Sequence, residues 1–138
     1  MRSQVEAGEA AARVGLIGAW RLVSCAITAP DGEVSHPYGE APAGVILYTP
    51  DGWMSCHMQG ARFEGAETRR EDVLAYTGYY GAYTVVEAER LVVHHVAGSS
   101  EAIMSGDQLR YYEIEGVRLR LTAEMNGLKV DVRWARPS

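Results

Sequence analysis

The chain has 138 residues, an apolar fraction of 47%, a charged fraction of 22% and a net charge of −5. That length makes one domain able to bury about two-thirds of its unfolded surface, and the balance excludes disorder, collagen and coiled coil. The lack of any basic block excludes a phosphate-tracking nucleic-acid surface, and no run nears the roughly 18 apolar residues of a membrane helix.

The N-terminal stretch MRSQVEAGEAAARVGLIGAW has no basic segment followed by an apolar run, so it does not read as a secretory signal. A cytoplasmic location is expected. Ala, Glu and Gln over 3–14 allow one or two helical turns weakened by Gly8, and residues 1–15 are expected to form a helical arm or lid ahead of a barrel over 16–138. Cys25 and Cys56 form no CxxC pair and read as reduced, small core residues.

From Leu16 onward the punctuation is that of strands and turns. WRLVSCAIT (20–28) is rich in β-formers, and Pro30-Asp31-Gly32 is a turn by its chemistry. Residues 33–44 read as a loop. GVILYT (44–49) and WMSCHM (53–58) form a hairpin across Pro50-Asp51-Gly52. After the polar stretch 60–70, EDVLAYTG (71–78) is expected to be a short helix. YGAYTVV (80–86) and LVVHHV (91–96) make another hairpin across EAER, and QLRYYEIE (108–115), VRLRLTAE (117–124) and LKVDVRW (128–134) finish the chain across Gly116 and Asn126-Gly127. Eight evenly spaced strands predict an all-β, antiparallel up-and-down barrel.

Alternation assigns the faces. Val117, Leu119 and Leu121 oppose Arg118 and Arg120, and Val130, Val132 and Trp134 oppose Lys129, Asp131 and Arg133. Each apolar set is expected inside. The same parity joins Met54, Cys56 and Met58 on one face of their strand and leaves His57 outside with Trp53 and Ser55.

Gly18-Ala19-Trp20 carries the G-x-W pattern of lipocalins. With LIGAWRLVS (16–24), DGEVSHPYGEAPAGVILYTPDGWMS (31–55), YGAYTV (80–85), VVHHV (92–96) and GDQLRYYEIEG (106–116) in order, the chain resembles the lipocalin-like domain family over about residues 16–135. The resemblance implies an up-and-down barrel closed near Trp20 and open at the other end. It also implies a cavity, since related barrels act as carriers or as cyclases and isomerases of polyketide-like and terpenoid-like intermediates. No catalytic motif carries over with it.

The candidate chemistry lies on the inward faces. His94 and His95 are adjacent in a strand and point to opposite sides. They cannot share a metal ion, and none is expected. One of them faces the cavity, where an imidazole can titrate near neutrality and serve acid–base catalysis. Arg110 shares a face with Tyr112 and Ile114. It needs a partner if buried, either a carboxylate or an acidic ligand; the other reading is a solvated position at the rim. Tyr48 with Ile46, and Tyr83 with Gly81 and Val85, are expected to share the interior with Tyr112, either as ligand contacts or as ordinary core. Trp20 and Trp134 are expected to plug the closed end.

No nucleophile elbow, phosphate loop or dinucleotide fingerprint occurs. The expectation is therefore a cofactor-free cyclase or isomerase acting on a small hydrophobic metabolite, a natural-product intermediate of polyketide or terpenoid type. Tyr83, Arg110 and His95 would be its catalytic groups, and Tyr48, Ile46, Met54, Met58, His94, Tyr112 and Ile114 its ligand contacts. The alternatives are a non-catalytic carrier or sensor using the same cavity, or an interaction module with a filled core. A homodimer is compatible with each.

Overall fold

The computed structural model describes residues 13–60, 76–101 and 104–137. Its strands are β1 (Gly18–Thr28), β2 (Val34–Ser35), β3 (Ala43–Tyr48), β4 (Trp53–Gln59), β5 (Tyr76–Val86), β6 (Leu91–Ser99), β7 (Gly106–Glu115), β8 (Arg118–Met125) and β9 (Leu128–Ala135). They pair in the order β2-β1-β3-β4-β5-β6-β7-β8-β9, and β1 also pairs with β9. Every pairing is antiparallel. Eight strands thus close into a barrel with no free edge, and β2 is a short addition alongside the end of β1.

The turns follow from their residues. Gly32 and Gly52, at the end of the two Pro-Asp-Gly triplets, have φ of 89° and 94°, and Asn126 and Gly127 have φ of 53° and 81°. These are the left-handed values that tight hairpins require and that Gly and Asn adopt at least cost.

Three expectations fail here. Residues 33–44 are not all loop, because Val34 and Ser35 find a partner in Thr28 and Ile27. The helix expected over 71–78 is not seen at its end. Residues 71–75 lie outside the described residues, while Tyr76, Thr77 and Gly78 pair with Gln59, Met58 and His57 as strand. A local helical preference is overridden by the open edge that β4 offers. Val117 does not point inward: it sits with Gly116 in the turn between β7 and β8 and is 62% exposed. The inward phase of β8 runs instead through Leu119, Leu121 and Ala123, and Arg118 and Arg120 lie outside, the latter bonded to Asp131 and Glu113.

The barrel is stopped at one end. A helical turn over 13–16 lays Leu16 across the base, and the Trp20 indole donates to the Leu16 carbonyl at 2.9 Å. Arg136 covers that indole, its guanidinium 3.6 Å from the ring centre, and donates to the carbonyls of Gly15 and Ala19. Leu16, Trp20, Leu22, Tyr48, Tyr83 and Leu119 are buried in one cluster. Among the described residues no helix is long and apolar enough to cross a membrane.

Candidate functional site

The cavity lies in the other half of the barrel and encloses about 170 Å³, room for a metabolite smaller than the drug-sized ligands of larger clefts. Its walls come from β1 (Cys25, Ile27), β3 and β4 (Ile46, Cys56, Met58), β5 (Thr77, Tyr79), β7 (Arg110), β8 (Leu121, Met125) and β9 (Val130, Val132, Trp134). Pro37 and Tyr38 from one loop, with Glu101 and Met104 from another, complete the lining. Most of this surface is aliphatic or sulfur-bearing and adapts to an apolar ligand.

Away from Tyr38, Thr77 and Glu101 at the mouth, three polar groups interrupt it. The Arg110 guanidinium is buried, with one nitrogen donating to the Leu109 carbonyl at 2.9 Å and another 3.9 Å from the Met125 sulfur. Among the described residues it has no carboxylate within ion-pair distance. Nε1 of Trp134 is buried with no hydrogen-bond partner among the described residues. Tyr79 is 4% exposed, and its hydroxyl lies 2.9 Å from Nδ1 of His94, with the Cys56 thiol and Arg110 also beside it.

Behind this wall, His94 is fully buried between two phenols. Its Nε2 lies 2.6 Å from the Tyr48 hydroxyl, and its Nδ1 faces Tyr79. Burial first, then the charges of Arg110 and His95, hold its pKa down at about 3. The expectation of an inward histidine titrating near neutrality is therefore wrong: water is excluded and a cation stands nearby, so this imidazole stays neutral. Burial likewise pushes Tyr48 and Tyr79 well above the ordinary phenol value and Cys56 up to about 12, which keeps all three protonated. At the mouth, Thr77 donates to Glu101 at 3.1 Å and bonds Tyr38 at 2.6 Å.

The expected site residues are thus dispersed. Arg110, Ile46 and Met58 line the cavity. Tyr48 and His94 lie one layer behind it. Met54, Tyr83 and Tyr112 are buried toward the closed end, where the Tyr83 hydroxyl donates to the Thr49 carbonyl at 2.7 Å and Arg13 lies over its ring. Ile114 has the inward parity but sits at the strand end, 36% exposed. His95 does not face the cavity: it is on the outer wall, bonded to Thr84 at 3.0 Å and Asp107 at 2.8 Å, because the register of β6 sets His94 opposite the buried Tyr83 and alternation then turns His95 outward. Trp134 belongs to the same buried cluster as Trp20, beside Leu22 and Leu119, but unlike Trp20 it also faces the cavity.

Tyr79 and Trp134 are the polar cavity groups that the sequence reading missed. Tyr79 keeps parity with Gly81 and Tyr83 and emerges once β5 is extended backward. Gly81 keeps that parity through the irregularity between Tyr80 and Gly81, where β6 presses so close that a Cβ would meet the His95 carbonyl at 1.9 Å. Residues 17–133 match the family model described as a lipocalin-like domain. No curated protein and no solved structure matches the chain.

Proposed function

Because the chain belongs to the lipocalin-like domain family, whose fold suits the enclosure of a small molecule, we propose that this barrel binds a small, largely apolar compound with an anionic oxygen head. The observation that carries the reading is Arg110, a buried cation with no carboxylate partner among the described residues, inside an otherwise apolar cavity. A guanidinium out of water is costly until an anion meets it, and its planar fork suits a carboxylate or enolate. Trp134 and Tyr79 supply neutral donors beside it, and the aliphatic and methionine surface takes the rest of the molecule.

The test is a titration with benzoate, cinnamate and hexanoate against their methyl esters, followed by calorimetry and by the fluorescence of Trp134. The acids are expected to bind at least tenfold tighter than the esters, the worth of one charged hydrogen bond. Arg110→Met is expected to erase that preference while leaving Tm unchanged or raised. Esters binding as tightly as acids would overturn the reading.

A second reading, isomerisation or ring closure of a natural-product intermediate, has one observation in its favour. Glu101 places a carboxylate on the lining of the same cavity as the donors. A donor cluster stabilises an enolate, and a carboxylate in reach of the α-carbon can take the proton. Exchange of α-hydrogens of a bound 3-oxo acid in D₂O, followed by NMR, separates the two: exchange that is lost in Glu101→Gln marks an enzyme, and its absence marks a carrier.

A further inference from the structure

We propose that Tyr48 and His94 act as positioning residues that turn the Tyr79 hydroxyl hydrogen toward the cavity, so that the site prefers head groups made of acceptor oxygens. The inference rests on the reading of the cavity as the ligand site and names the ligand chemistry more closely.

The argument is a chain of donors and acceptors. Tyr48 is 2% exposed, and among the described residues its hydroxyl has one partner, Nε2 of His94 at 2.6 Å. A phenol has one hydrogen to donate. Were Nε2 to carry the proton, the Tyr48 hydrogen would be buried with no acceptor, the arrangement that folded proteins avoid. Tyr48 therefore donates to Nε2. A neutral imidazole that accepts at one nitrogen donates at the other, and His94 is neutral because it is fully buried beside a cation. Nδ1–H then donates to the Tyr79 oxygen, 2.9 Å away.

The consequence falls on Tyr79. Its oxygen is occupied by His94 and also has Arg110 beside it, so its own hydrogen is free to turn away from both. The Cys56 sulfur beside it is only a weak acceptor. A ligand oxygen in the cavity is a better one. Together with Nε1–H of Trp134 and the unused N–H groups of Arg110, the interior away from the mouth offers strong donors and, as acceptors, only weak sulfurs. A carboxylate or ketone oxygen satisfies them, whereas a hydroxyl or amide N–H would bring a further donor where no strong acceptor waits. The mouth differs: there Thr77 donates to the Glu101 carboxyl oxygen, and Tyr38 in turn donates to Thr77, whose one hydroxyl hydrogen is already used.

The first measurement is made on the free protein, by nitrogen-15 NMR of the histidine rings. His94 is expected to carry its hydrogen on Nδ1, to leave Nε2 bare, and to keep this pattern from about pH 5 to pH 8. A hydrogen on Nε2 would overturn the proposal whether or not any ligand binds. The second measurement compares acetophenone with 1-phenylethanol, which share a skeleton and differ in whether the head carries a donor. The ketone is expected to bind about tenfold tighter to the wild type, one hydrogen bond's worth. In Tyr48→Phe, which releases Nε2 and leaves the cavity wall unchanged, the His94 hydrogen is expected to redistribute and the ketone preference to shrink several-fold. Equal binding of the two probes to the wild type, or a preference untouched by Tyr48→Phe, would overturn it. Should benzoate fail to bind while the ketone preference and the Nδ1–H signature hold, the anion reading falls and this one stands. Tyr79→Phe, which removes the hydrogen itself, is expected to abolish the preference if Tyr48→Phe fails to fold.

Discussion

Trp20 and Trp134 are both 2% exposed or less and both face the barrel interior, yet only one of them is finished. The Trp20 indole gives its hydrogen to Leu16 and lies under Arg136. The Trp134 indole gives its hydrogen to nothing among the described residues. The tyrosines divide in the same way. Tyr83 donates to a backbone carbonyl at the closed end, whereas Tyr79 lines the cavity with a hydrogen that no strong acceptor claims. Both halves draw on the same residue types. Where every polar tip has a partner inside the protein the region is built for stability; where donors are left over, the fold forgoes some stability and keeps a place for something else.

The largest break of that contrast is at the closed end. Trp20→Ala is expected to cost about 3–5 kcal/mol, as loss of a fully buried indole leaves a hole that the base of the barrel cannot collapse to fill. Chemical denaturation measures it, and a loss under 1 kcal/mol would show that the plug is dispensable.

Acid sharpens the comparison next. The His94 imidazole is held at about 3 in the fold against an ordinary value of 6.5, so the unfolded chain takes up a proton that the folded chain refuses. Stability is full above about pH 6.5 and declines as pH falls toward 3, by roughly 2–3 kcal/mol at pH 4.5. Denaturation curves at pH 7 and pH 4.5 should show this loss, and His94→Gln should flatten it. An equal loss in that variant would place the acid sensitivity elsewhere.

Tyr83→Phe removes one satisfied hydrogen bond. A loss near 1 kcal/mol is expected, with benzoate affinity unchanged. Trp134→Phe removes a donor that has no partner and should change stability least, by less than about 1 kcal/mol in either direction. Its effect belongs to the cavity, a several-fold weaker hold on benzoate. Reversed outcomes for this pair, with Tyr83 governing binding and Trp134 governing stability, would undo the division of the barrel into a structural and a binding half.

The amino-acid order by itself determines the barrel. Strand alternation, the two Pro-Asp-Gly turns, Asn126-Gly127 and the G-x-W start are local signals, and each is carried by residues close together in the chain. Parity also places Leu119, Leu121 and Val132 inside, because a strand whose outer face carries charge leaves only one face for the core; it leaves Arg110 between the interior and a solvated rim, and the tertiary fold buries it. Parity stops short of depth. It says that Tyr48, Tyr83, Tyr112 and Ile114 share an interior, but not which of them meet the plug, the cavity or the rim, since that depends on how far along the barrel axis each strand is staggered. It also leaves His94 and His95 equivalent. Only closure of β1 on β9 and the register of β6 against β5 and β7 put the first between two phenols and the second beside Asp107. The donors left over at Trp134, Tyr79 and Arg110 are likewise a tertiary result, because whether a polar tip is satisfied depends on groups brought to it from other strands.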